Sequence, residues 1–84
     1  MKIEKVLTGK NSGFHHHVVI SLDESENGLL SGDFEYWIEE DEEETYMEGR
    51  LYTEGNEVVD FDGCYDLPNA VKHVLNKNGY STNW

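Results

Sequence analysis

Three groups of residues have types and spacings that could do chemistry. The first is His15-His16-His17. On a strand, alternate side chains point to the same side, so His15 and His17 would share a face. With Glu35 opposite them they could grip one divalent metal ion, provided both imidazoles are neutral and their second nitrogens have partners. They are weak metal candidates, because surface histidines more often simply titrate near pH ~6.5. No metal and no cofactor is assigned. His16 would point to the other face, either as a buried polar residue with a partner or as the mark of a slipped strand.

The second group is Asp60-Phe61-Asp62-Gly63-Cys64-Tyr65-Asp66, which has the look of a calcium loop or a nucleophile site. A calcium loop of the EF-hand kind needs a glutamate at its twelfth place, and Val71 stands there if Asp60 is the first ligand. Cys64 has acids around it that oppose thiolate formation, and free cysteine is usually a small packed hydrophobe. It is the single cysteine, which excludes an internal disulfide and a zinc knuckle.

The third group is the carboxylates, too abundant for one acid–base pair to stand out. A small flat sheet also offers little room for a deep pocket. The expectation is no enzyme and no catalytic residue.

Charge is the dominant feature of the chain. Eighteen acids against six bases give a net charge of −12 in 84 residues. The two ends are weakly basic, each at +2, whereas Ser21 to Asp66 holds 17 acids against Arg50 alone, for −16. Direct nucleic-acid binding is disfavoured, since neutralising phosphates takes lysine and arginine. With a Debye length of about 8 Å at physiological ionic strength, acids close together on one sheet still repel and weaken the compact state. Such a cost points either to solubility or to a partner with a basic surface.

The elements that must position these residues follow from periodicity. A chain of this length is expected to form one domain, 1–84. No apolar run approaches the roughly 18 residues needed to cross a bilayer, and Met1 to Thr8 lacks the apolar stretch of a signal peptide, so a soluble cytoplasmic protein is expected. Alternation of apolar and polar residues between turn signals predicts strands at about 2–8, 14–22, 29–39, 45–53 and 57–62. The inward set is Phe14, Val18, Ile20 and Leu22, then Leu30, Phe34, Tyr36 and Ile38, then Met47 and Leu51, then Val59 and Phe61. The faces match if Ile38 opposes Met47 and Phe34 opposes Leu51, which sets Tyr36 over Gly49 and leaves a loop of Asp41 to Glu44. A three-residue connection Glu54-Gly55-Asn56 then sets Leu51 opposite Val59.

The apolar face needs a cover. A helix over about 67–78 supplies it, with Asp66 or Leu67 as N-cap, Pro68 in the first turn, a stripe of Leu67, Ala70, Val71, Val74 and Leu75, and Gly79 just past its end. Tyr80 then folds back as the apolar partner of a Schellman cap, and 79–84 is a tail. The predicted fold is a two-layer α+β domain: an antiparallel four- to five-stranded meander under one C-terminal helix.

On the opposite, solvent-facing side these registers place His15, His17 and Val19, then Asp33, Glu35, Trp37 and Glu39, then Tyr46, Glu48, Arg50 and Tyr52, then Val58, Asp60 and Asp62. Arg50 would lie between Glu35 and Asp60 as an internal counterion. Carboxylates spaced across a sheet can stand roughly where phosphates stand along a duplex, and exposed aromatics anchor interfaces. The predicted partner-binding set is Asp33, Glu35, Trp37, Glu39, Asp41, Glu42, Glu43, Glu44, Tyr46, Glu48, Tyr52, Asp60 and Asp62. Its expected partner is a protein with a basic surface that ordinarily holds nucleic acid, met by a monomer or homodimer. Two alternatives are an assembly module that buries the aromatic face against itself and a histidine-based metal-binding domain.

In size and acidity the chain resembles the small proteins that phages and bacteria direct against nucleases, restriction systems or glycosylases, and the bacterial nuclease-immunity proteins. Locally, Leu67-Pro68-x-x-Val71-x-x-Val74 followed by Asn76-Lys77 is similar to a stretch of the uracil-DNA glycosylase inhibitor family. A capped amphipathic helix accounts for the same pattern, and no functional residue is carried over from the resemblance.

Overall fold

The structure is a computed structural model that describes residues 2–24 and 29–82. Its chain order is β1 (Lys2–Thr8), β2 (His15–Glu24), β3 (Leu29–Ile38), a 3-10 turn (Glu39–Asp41), α1 (Glu42–Thr45), β4 (Met47–Glu54), β5 (Glu57–Asp62), α2 (Asn69–Lys77) and β6 (Ser81–Thr82). This is an α+β fold. All six strands join one sheet in sequence order, antiparallel except for the β5–β6 pair.

The sixth strand corrects the expected four- to five-stranded meander, and it comes from the segment read as a tail. At the end of α2, Tyr80 N–H donates to Leu75 O (3.0 Å) and Gly79 N–H to Asn76 O (3.2 Å), the hydrogen-bond pair of a Schellman motif. Tyr80 then packs against the core, and Ser81 N–H donates to Asn56 O at 2.7 Å, which starts the parallel pairing along β5. A parallel neighbour requires a crossover, and α2 is that crossover. The helix itself is shorter than read, because Pro68 stands at the N-cap rather than in the first turn, with neither Asp66 nor Leu67 capping it.

Valines and isoleucines at alternate positions explain the inner face. Ile3, Val18, Ile20, Leu22, Phe34, Leu51 and Val58 from the sheet are buried together with Leu67, Val71, Val74 and Leu75. The helical contribution falls at i, i+3 and i+4, one side of α2. The helix packs on both β2 and β6, which are four strands apart in the sheet. The sheet curls around the helix and is not a flat layer beneath it.

The faces of β2, β3 and β4 are as the alternation predicts, but the β3–β4 register differs by two residues: Tyr36 opposes Met47, Phe34 opposes Gly49 and Gly32 opposes Leu51. The connection is the cause. Instead of a loop of Asp41 to Glu44, residues 39–45 wind into the 3-10 turn and α1. Thr45 closes that bend: its hydroxyl donates to Asp41 O (2.7 Å) and accepts from Ile38 N–H (2.8 Å). Consequently Phe34, not Tyr36, covers Gly49. A Cβ at Gly49 would lie 2.1 Å from Asp62 O and 2.8 Å from the Phe34 ring, so the close approach there admits only glycine.

The β4–β5 hairpin turns through two residues, with Glu54 opposite Glu57 and Gly55 at φ 60°, rather than through the expected three. A bulge between Tyr52 and Thr53 then resets the pairing, so that Leu51 opposes Phe61 and Thr53 opposes Val58. Val58 is therefore buried and Val59 exposed, the reverse of the expected assignment. Phe14, just before β2, and Met47, the first residue of β4, expected inside, are exposed, and the side chain of Leu30 lies outside the described residues. His16 keeps its predicted inward direction and has a partner: its Nδ1 lies 2.7 Å from the Tyr36 hydroxyl, and the two rings stack at 5.9 Å.

Candidate functional site

The solvent face of β1 to β5 carries the acids and aromatics that alternate along those strands, and it divides into three parts. At its centre β3 and β4 set Glu35 directly opposite Glu48. Like charges facing each other across a ladder repel, and here one phenol bridges them. The Tyr46 hydroxyl lies 3.2 Å from Glu35 Oε1 and 3.1 Å from Glu48 Oε2. Its ring is 43% exposed, but the hydroxyl sits between two carboxylates. Lost hydration, then the hydrogen bonds and negative charges of Glu48 and Glu35, push its pKa up to about 12.

Beside this cluster Trp37 lies opposite His17 and stacks on it, with centroids 4.9 Å apart and planes 4° from parallel; Tyr46 tilts against its other side at 6.3 Å. Val6, 55% exposed, joins His17, Val19 and Trp37 in a shallow depression of about 310 Å³. Arg50 is displaced from its expected place between Glu35 and Asp60. It pairs with Asp33 and Asp62 in the ladders, and its Nε approaches Asp33 Oδ1 at 3.5 Å with both side chains exposed, an ion pair of little energetic worth.

One end of the face is the acidic bend, where Glu39, Glu40, Asp41, Glu42, Glu43 and Glu44 are all exposed. Glu40 turns back onto β2: it accepts from His15 N–H at 2.8 Å and contacts His15 Nδ1 at 2.7 Å. That hydrogen bond and charge raise the His15 pKa, and the same hydrogen bond lowers that of Glu40. Glu39 reaches both histidines, with His15 Nδ1 at 3.7 Å and His17 Nε2 at 3.3 Å. The acid near His15 and His17 is thus not Glu35, which lies opposite Val19.

The far end holds Tyr52 opposite Asp60, while Asp62, the last residue of β5, lies opposite Arg50 and nearer the centre. Both aspartates accept a backbone N–H of the following residue, Phe61 for Asp60 and Gly63 for Asp62, which uses one oxygen of each in fixing the loop. Tyr52 is six residues along the extended chain from Tyr46, which immediately precedes β4, a span of about 20 Å. The predicted partner-binding residues on and beside β3, β4 and β5 therefore share one face, Asp41 to Glu44 lie exposed in the bend beyond it, and together they form no single pocket.

Three features went unread in the sequence. Glu40, in the run that supplied its neighbours, is the acid held most closely by histidine. Tyr65 is 96% exposed, and its place between acids in the β5–α2 loop was its only signal. A groove of about 750 Å³ opens on the opposite side of the sheet, lined by His16, Tyr36, Met47, Leu67, Pro68 and Lys72 among others; the curl of the sheet makes room that a flat sheet would not. Cys64 lies outside it, and burial followed by the charges of Asp66 and Asp62 raises its pKa. No helix among the described residues is long and apolar enough to cross a membrane. Comparison with protein-family models, with curated proteins and with solved structures returned no match.

Proposed function

We propose that this protein is a small, non-enzymatic binding protein that presents its carboxylate face to the basic site of a nucleic-acid-binding protein, in the manner of a phage-type or immunity-type decoy acting in the cytoplasm. The observation that carries this reading is the facing of Glu35 and Glu48 across the ladder, flanked by Trp37 and Tyr46 and continued by the exposed acids of residues 39–44. The fold bears a repulsion that a cationic partner would relieve, and the adjoining aromatics supply contact area. The sign of the charge argues against direct nucleic-acid binding.

The test is affinity capture from lysate at low salt, with release by high salt. The captured protein is expected to bind nucleic acid and to be displaced by duplex DNA. The folded variant carrying Glu35→Gln, Glu48→Gln and Asp60→Asn is expected to lose it. Undiminished capture by that variant, or indifference of the complex to DNA, would refute the reading. Exposed Val6 beside Trp37 favours a second reading, self-association through the outer face, which sedimentation would show as a dimer insensitive to salt.

A further inference from the structure

We infer that His15, His17, Glu39 and Glu40 form a binding site for a divalent transition-metal ion of the zinc class. His15, Glu39 and Glu40 are the inner ligands, and His17 closes on the other oxygen of Glu39. The ligand atoms of the first three all lie within 4.8 Å of one another. Zinc bonds of about 2.0–2.1 Å in tetrahedral array put neighbouring ligand atoms about 3.3 Å apart. His15 Nδ1 is 3.7 Å from Glu39 Oε2, so small side-chain adjustment brings these two groups to the ion, while His17 Nε2, 3.3 Å from Glu39 Oε1, holds the other oxygen of that carboxylate. The 2.7 Å contact between His15 Nδ1 and Glu40 Oε2 must open by about 0.6 Å to reach the same spacing.

The supports of the ligands are in place as well. Glu40 Oε1 accepts the backbone N–H of His15 at 2.8 Å, which leaves Oε2 for the metal and holds the carboxylate in position. The His17 imidazole is kept in plane by Trp37, stacked 4° from parallel. Both histidines stand on one strand, and both glutamates are consecutive in the turn that follows the paired strand, so the ladder itself fixes the distance between them. The His15 imidazole favours zinc, nickel or copper over the magnesium and calcium that carboxylates and water alone would suit. The half-exposed His15 and Glu39 leave the remaining coordination position to water.

The site stands apart from the partner reading, because its test uses no partner. Titration of the protein with zinc chloride, followed by calorimetry and by Trp fluorescence, is expected to show one ion per chain and a rise in thermal midpoint with zinc. His15→Ala and Glu39→Gln are each expected to weaken zinc binding at least about tenfold, and His17→Ala by less. The double variant Glu42→Gln with Glu43→Gln, in the same acidic bend but outside the ligand set, should bind as the parent does. Circular dichroism checks that each variant is folded, and Glu39→Gln carries the test if His15→Ala is not. Absence of saturable binding, equal competition by magnesium, or full binding by the folded His15→Ala or Glu39→Gln variant would overturn the site and leave only diffuse counterions.

Discussion

Replacing Glu48 by Gln should stabilise this protein, and by an amount that salt removes. The Tyr46 hydroxyl lies 3.2 and 3.1 Å from oxygens of Glu35 and Glu48, so those oxygens are no more than about 6.3 Å apart. Two unit charges ~6 Å apart repel by about 0.7 kcal/mol at the bulk-water dielectric constant of about 80 and by about 2.8 kcal/mol at about 20, and an exposed pair of this kind lies near the lower limit, at about 0.9 kcal/mol. That agrees with the few tenths to 1 kcal/mol typical of cross-strand pairs. A Debye length of about 30 Å at 10 mM salt leaves about 0.75 kcal/mol of it, and one of about 3 Å at 1 M leaves about 0.1 kcal/mol. With an unfolding entropy of about 2.1 cal/mol/K per residue, the melting temperature should rise by about 4 °C at 10 mM salt and by under ~1 °C at 1 M. Glutamine keeps an acceptor for the phenol, so the hydrogen bond is weakened rather than lost. Thermal melts followed by circular dichroism at the two salt concentrations make the measurement. A fall in melting temperature, or a gain of equal size at both, would show that the two carboxylates do not repel and that the charged face imposes no cost on the fold.

The remaining expectations concern single groups. Tyr46 should ionise near pH 12, and Glu35→Gln should bring its phenolate absorbance down in pH; ionisation at the ordinary value would refute the placement of its hydroxyl. Because its folded pKa lies above the unfolded value near ~10, the stability it contributes is complete below pH ~10 and is lost as pH rises toward 12. Gly49→Ala drives a Cβ onto Asp62 O and the Phe34 ring and should cost about 2–3 kcal/mol in urea denaturation; a neutral result would mean β4 and β5 can separate there freely. Cys64, its pKa raised by burial and then by Asp66 and Asp62, should react with a thiol reagent at mildly alkaline pH more slowly than it does in urea. Asp66→Asn should speed the folded-state reaction, and an unchanged rate would exclude a charge effect.

Much of the fold was legible because a strand with one buried face must alternate. Val18, Ile20 and Leu22 in β2, Phe34 in β3 and Leu51 in β4 all point inward as their spacing requires. The stripe Val71, Val74 and Leu75 likewise placed α2. What alternation leaves open is a shift by two, which preserves both faces and changes every partner. The β3–β4 pairing is such a case: whether Glu48 meets Glu35 depends on how residues 39–45 turn, and Thr45 bonding to Asp41 and Ile38 decides it. Val58 and Val59 were exchanged because two adjacent valines give no parity signal, and a bulge chose between them.

The acidity of the outer face, the presence of aromatics within it and the placing of His15 and His17 on one side of a strand are properties of residue order alone, since period-two geometry assigns faces without reference to neighbours. The meeting of particular groups is a property of folding. Glu40 reaches His15 across 25 positions of chain, Tyr46 lies between Glu35 and Glu48, and Ser81 and Thr82 complete the sheet beside β5. Each of these depends on how the chain turns between elements, and a turn is selected by the packing on both sides of it. Composition shows what the surface carries; distances between side chains arise when the sheet curls around α2 and the acidic bend closes on β2.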